Sequence, residues 1–309
     1  MSKRKSYSKI FNKMMWFTAL LLVVFMAGCD RDHGTTGTTG TAGTGESSLA
    51  AGRLGAALPY GGFGGSAGMT NSGILTVING DIGSTAASSS MTGFHDLSVA
   101  YVAPPSASGC TYTETTLNIG VVNGTINTDG PPPTITCPNE GTSATMAIAT
   151  AALADAQAAY LRLSPAALPG GTDPGANLAG QTLLPGVYNT AGGAFLIQGG
   201  DLTLDAQGDA NASWVFQMAT TLTVGGPGVA FPQSVLLING AQAKNVFWQV
   251  GSSATINAAG GGTMVGTIIA QAAVTFSTAG NLTITTLNGR ALSLVSGVTL
   301  VNTVINVPQ

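Results

Sequence analysis

Leu202-Thr203-Leu204, Leu222-Thr223-Val224, Ala254-Thr255-Ile256, Val274-Thr275-Phe276 and Val298-Thr299-Leu300 punctuate the stretch from Asp201 to Thr303. In a β-strand successive side chains point to opposite faces, so each threonine faces away from the apolar pair that flanks it. The pairs predict a core and the threonines an outer surface. Successive threonines stand 20, 32, 20 and 24 residues apart, and a period near twenty with loop insertions marks a solenoid. At ~3.3 Å per residue, such a coil makes three short strands and three corners, a roughly triangular parallel β-helix. Equivalent residues stack at ~4.7–4.9 Å, so Thr203, Thr223, Thr255, Thr275 and Thr299 are expected to form one ladder on an outer face. Counting seven back from each gives Leu196, Phe216, Trp248, Ile268 and Leu292 as a matching rank. The pattern does not say which face a helix would cover.

Bulk properties narrow the function. The 309 residues are 44% hydrophobic and 7% charged, enough chain for a substantial core but poor in acid/base groups. Five of the ten basic residues lie before Met14 and all thirteen acids follow Cys29, leaving a net charge of −8 beyond that cysteine. No basic footprint remains to hold nucleic acid or an acidic membrane surface.

Residues 1–29 read as an address rather than a fold. A basic region precedes the apolar run Trp16 to Met26, too short for a comfortable transmembrane helix and shaped like a secretory signal. Met26-Ala27-Gly28-Cys29 resembles the bacterial lipoprotein cleavage box, which implies lipid on Cys29, an exported protein and an envelope anchor. The alternative is an ordinary signal peptide cut nearby. Residues 30–48, rich in Gly and Thr, read as a tether unable to bury enough apolar surface to order itself. The domain proper is expected over residues 49–309.

Within it, Gly61-Gly62-Phe63-Gly64-Gly65 lacks a strand-loop-helix context and reads as close backbone approach rather than a phosphate loop. Leu75-Thr76-Val77 repeats the threonine pattern a sixth time, as a coil docked out of sequence order. Residues 101–140, with Pro104-Pro105 and Pro131-Pro132-Pro133, read as a capping insertion. Given export, Cys110 and Cys137 are its candidates for a disulfide. The pair closes a loop of about 27 residues, which chain entropy values at ~3–4 kcal/mol. An alanine-rich helix is expected over 143–163, opened by Thr142 or Ser143 and ended by Ser164-Pro165. Met146, Leu153, Tyr160 and the alanines form its apolar stripe, with Asp155 and Arg162 on the solvated side.

Catalytic constellations are not found. Asp201, Asp205 and Asp209 are spaced for turns binding backbone amides rather than for a calcium loop, and two cysteines without nearby histidines make a poor zinc site. His33 reads as tether decoration, His95 as a turn residue that satisfies a local backbone group, and Arg290 as a binder of backbone carbonyls at a corner. No metal, cofactor or enzymatic activity is expected.

Four segments carry a family resemblance: Leu204 to Asp209, Val235 to Gln242, Asn245 to Thr255 and Leu287 to Leu292. They are similar to the microbial ice-binding proteins, the similarity running from about Leu54 to Asn306. The resemblance implies a discontinuous right-handed β-helix of triangular section with one long α-helix alongside; some members carry a disulfide-bearing cap. It also implies binding to an ice surface by a flat face of Thr, Ala, Gly and Asn, without enzymatic chemistry; the domain is expected to be monomeric. The family's ice-face motif, Thr-Ala/Gly-x-Thr/Asn, is matched by Thr278-Ala279-Gly280-Asn281 and in part by Thr190-Ala191-Gly192-Gly193. By that resemblance Thr190, Thr278 and Asn281 join Thr203, Thr223, Thr255, Thr275 and Thr299 as candidate ice-binding residues. The alternative function is a lipid-anchored adhesin or envelope structural protein with the same fold.

Overall fold

In the computed structural model, residues 53–96, 114–130, 141–226, 232–278 and 280–309 are described. The expected signal segment, tether, Cys29, Cys110 and Cys137 lie outside them. The described chain winds as a three-sided stack of parallel strands, with one long helix alongside.

One side is a seven-stranded sheet in the order Phe195–Ile197, Leu222–Val224, Ala254–Ile256, Val274–Phe276, Val298–Leu300, Met69–Asn71, Met91–Thr92. The flanking residues Leu222, Val224, Ile256, Phe276 and Leu300 are buried, as alternation requires.

The second side runs through Gly186–Asn189, Trp214–Met218 and Val246–Val250. It continues through the C-terminal halves of Thr263–Ala270 and Thr285–Ser293, then Tyr60–Gly64, Asp81–Ala87 and Ile126–Asp129.

The third comprises Thr182–Leu183, Leu202–Asp205 and Val235–Ile238, then the N-terminal halves of the two long strands, followed by Thr303–Asn306, Thr76–Asn79, Gly120–Val122 and His95–Asp96. The long strands turn this corner at the paired Gly266 and Gly289. Gly266 has φ +96°, and a Cβ on Gly289 would lie 1.9 Å from Gly266 O, so neither position admits a side chain without the coils separating.

The N-terminal coil docks onto the C-terminal one: Tyr60–Gly64 pairs with Thr285–Ser293, Met69–Asn71 with Val298–Leu300, and Thr76–Asn79 with Thr303–Asn306. The solenoid is therefore discontinuous in sequence. Its interior holds the stack Tyr188, Phe216 and Trp248, with centroids 5.4 Å and 4.0 Å apart. That rank continues through Ile268 to Ala291, not Leu292, and starts at Tyr188, not Leu196. One extra residue before Thr299 turns Leu292 to the opposite side of its strand, where it packs toward the helix. Leu196 pairs instead with Thr223 on the seven-stranded sheet.

The helix spans Ser143–Arg162, with Thr142 as N-cap. Thr145 N donates to Thr142 Oγ1 (3.2 Å) and Thr142 N to Thr145 Oγ1 (2.8 Å), satisfying two backbone donors that a helix start leaves open. Ala149, Ala152, Ala156 and Ala159 are buried against the outward Val215, Phe247, Ile269 and Leu292 of the second side. Met146 and Leu153 are only half-buried, because the short alanines set the contact line and bring the backbone close to the sheet. Gln217 Nε2 holds the C-terminal end by donating to Leu163 O (2.9 Å) and Leu168 O (2.8 Å). Asp155 is not on the solvated side: its Oδ2 accepts from Ala56 N at 2.7 Å, tying the helix to the turn before Tyr60. Arg162 donates to Arg53 O.

Candidate functional site

Along the middle of the seven-stranded sheet the outward residues in register are Leu196, Thr223, Thr255, Thr275, Thr299, Thr70 and Thr92. Six threonines thus follow one another on adjacent strands, a ladder about 24 Å long at the parallel-strand spacing. Two residues before the ladder position lies a second row, Ala194, Thr221, Ser253, Ala273 and Gly297, which Gly68 and Ser90 continue from the turns before Met69 and Met91; it is connected by Leu222 N to Ser253 O, Ala254 N to Ala273 O and Val298 N to Gly68 O. Where the chain is extended the two rows stand ~6.6–6.8 Å apart, whereas at Gly68 and Ser90 the backbone turns. Both consist of small uncharged side chains, apart from Leu196 at the edge.

Among the described residues, none of the six ladder hydroxyls hydrogen-bonds to protein, so they are directed to solvent. Each β-branched side chain is stiff at χ1 and held by its neighbours in the ladder. The helix does not cover this sheet, since it packs on the side bearing Val215 and Phe247.

The other uncovered side is different. Thr203 lies there, between Thr182 and Leu236, rather than in the ladder. Its surroundings include the half-exposed Leu236 and Ile238 and the charged Asp205. The twenty-residue step from Thr203 to Thr223 is therefore not one coil; the residue one coil before Thr223 is Leu196. Asp201, Asp205 and Asp209 accept from Ser234 N, Gln207 N and Asn211 N (2.7, 2.8 and 2.8 Å), the turn role read from the sequence. Arg290 likewise meets backbone carbonyls, Nε to Leu58 O at 2.8 Å.

The motif residues flank the ladder at opposite edges. Thr190 begins the turn into the sheet, with Gly193 N donating to its carbonyl at 3.0 Å. Thr278 begins the turn out of it and spends its hydroxyl on Ala258 O at 2.7 Å, fastening one coil to the next. Asn281 Oδ1 accepts from Thr283 N at 3.0 Å within its own turn. Ala279 lies outside the described residues.

Thr70 and Thr92 were not legible as ladder members because the second flanking residue is not apolar. After Thr70 comes Asn71, fully buried, donating to Gly73 O and Gly93 O and accepting from Gly73 N and Thr76 Oγ1. Thr76, the sixth sequence match, is itself buried on the third side. The repeated Met-Thr of Met69-Thr70 and Met91-Thr92, each preceded by Gly or Ser, was the available signal.

Known proteins share this fold. The profile of the Ice-binding-like family matches residues 63–306. An ice-binding protein from Nostoc sp. (strain HG1) is 39% identical over 185 residues, which are 60% of this chain and 62% of that relative. The structure of an ice-binding protein from the Antarctic ascomycete Antarctomyces psychrotrophicus superposes with a TM-score of 0.60 at 32% identity, covering 83% of this chain and 98% of that one. A domain of ice-binding protein 1 from Shewanella frigidimarina gives a TM-score of 0.64 at 26% identity, over 83% and 97%. With the profile matched across most of the described solenoid, the chain belongs to the ice-binding-like family.

Proposed function

We propose that the domain adsorbs to ice through the seven-stranded sheet, and that it acts by this physical contact rather than by catalysis. The observation that carries this is the run Thr223, Thr255, Thr275, Thr299, Thr70, Thr92, with free hydroxyls on a face that is uncharged and uncovered among the described residues. Methyl and hydroxyl groups repeating at ~4.7–4.9 Å across strands and ~6.6–6.8 Å along them lie close to repeats of the ice lattice. Water ordered on such a face can merge with a growing crystal. Little side-chain entropy is lost, because the array is rigid before contact. Many weak contacts made together then hold the protein, and the pinned ice front curves and slows. Thr190, Thr278 and Asn281 border this surface, whereas Thr203 is outside it.

The test is freezing-point hysteresis and ice recrystallisation with Thr255→Tyr and Thr275→Tyr, using Thr203→Tyr as the control. A tyrosine in the ladder keeps the crystal from approaching its neighbours, so both activities are expected to be largely lost while the control keeps them. Full activity in both ladder variants would sink the assignment.

By the same reading the protein is exported as a single-chain species and held at the cell envelope through lipid on Cys29, with Cys110 and Cys137 joined across the capping insertion. Replacing Cys29 by Ser should then release the protein from membranes. Thiol titration of the unreduced, denatured protein should find Cys110 and Cys137 unreactive.

A further inference from the structure

At the corner between the third side and the helix-bearing side lies a cleft of about 970 Å³, within the range of small-molecule sites. Its position follows from the coils: the turn at Asn79, the segment around Lys244, and Arg290 just after the Gly266–Gly289 corner all meet there. The chain is acidic beyond Cys29, yet Arg53, Lys244 and Arg290 line this one cavity.

Arg290 is 2% exposed, and its partners are carbonyls only, Leu58 O at 2.8 Å from Nε and Pro308 O at 3.3 Å from Nη2. Carbonyl dipoles satisfy donors but do not cancel a charge, and a buried cation without a counter-ion is costly. Burial pulls its pKa down to about 10. Lys244 is held beside it, Nζ donating at 3.0 Å to a carboxyl oxygen of Gln309, the last residue of the sequence and the one after Pro308, which leaves the ammonium's other donors for a ligand. The cleft's acidic side chain, Asp81, directs Oδ1 to Thr125 N at 2.8 Å. Leu54, Leu58 and Phe247 supply an apolar wall.

We propose that this cleft binds a small organic monoanion, its carboxylate between Arg290 and Lys244 and its apolar body against Leu54, Leu58 and Phe247. The carboxylate completes the unpaired guanidinium, and the apolar body distinguishes this ligand from a simple inorganic ion.

The experiment is thermal unfolding and titration calorimetry of the full-length protein with four probes at equal ionic strength. Benzoate carries both features, benzamide the body alone, acetate the charge alone, and chloride neither. Benzoate is expected to raise the melting temperature saturably, and Lys244→Gln to weaken it roughly tenfold, as for loss of one charge-assisted hydrogen bond. Arg290→Gln should abolish binding; if that variant does not fold, Lys244→Gln decides. Absence of a benzoate effect at tens of millimolar, an equal effect of benzamide, acetate or chloride, or undiminished affinity in Lys244→Gln overturns the proposal. None of these readouts involves ice, so failure here leaves the threonine sheet untouched.

Discussion

Thr70 pairs in register with Thr299, although one belongs to the first coil and the other to the strand of the seven-stranded sheet that comes last in the chain. This contact extends the ladder: without it, the outward threonines would stop at Thr299 and the face would be shorter by the ranks of Thr70 and Thr92.

The first prediction follows from that extension. Thr70→Tyr should reduce hysteresis as severely as Thr275→Tyr, although the sequence pattern does not mark it. Because Thr70 is exposed, the change should shift stability by no more than about 0.5 kcal/mol. Wild-type hysteresis in a well-folded Thr70→Tyr protein would confine the working face to the ranks before it.

Asn71 fastens that junction from inside. It is 0% exposed, and its amide donates to Gly73 O (2.7 Å) and Gly93 O (3.0 Å) while its carbonyl accepts from Gly73 N (3.0 Å) and Thr76 Oγ1 (2.7 Å). Asn71→Ala strands buried polar partners and is expected to cost about 3 kcal/mol, read as a lower midpoint in urea. A loss under about 0.5 kcal/mol would show that water replaces the amide there.

Gly289→Ala tests the corner. A methyl 1.9 Å from Gly266 O forces the two coils apart, so the expected loss is about 3 kcal/mol or more, with failure to fold an equally consistent result. Gly192→Ala, where the added carbon meets nothing within 4 Å, should be nearly neutral. Equal stability in both variants would contradict the corner geometry.

Alkaline pH should unfold the domain while leaving the threonine face indifferent. Burial raises Tyr60, with the charge of Asp81 adding to it, and burial also raises Tyr160 and Tyr188. A group whose folded pKa exceeds its unfolded value contributes stability that is intact below the unfolded value, 10.0 for tyrosine, and is lost as pH rises further. Arg290 opposes this: its folded pKa is lowered to about 10, so the cost of its buried charge is relieved above that pH. Three groups against one give a net fall in melting temperature above pH ~10, and Tyr60→Phe should make it shallower. Hysteresis should not change with pH below that point, since neither ladder row contains a titratable group. A pH-dependent hysteresis at constant melting temperature would implicate another surface.

Much of this was legible in the chain. Alternation around Thr223, Thr255, Thr275 and Thr299 specified strands, sidedness and a coil repeat, because which way a side chain points is a local property with period two. Thr142 and Ser164-Pro165 bounded the helix within a residue or two for the same reason, since caps and breakers act on adjacent backbone. Thr203 shows the limit: its local pattern is identical to that of Thr223, yet it lies on another side.

Local residue order thus specifies that the chain coils, that the ladder threonines face outward, and which segment is helical. Which threonines share a face, that Thr70 follows Thr299, and that the helix leaves that face open emerge when distant segments pack together. Those relations depend on loop lengths and on closure between distant segments, where one extra residue moves Leu292 from core to helix contact.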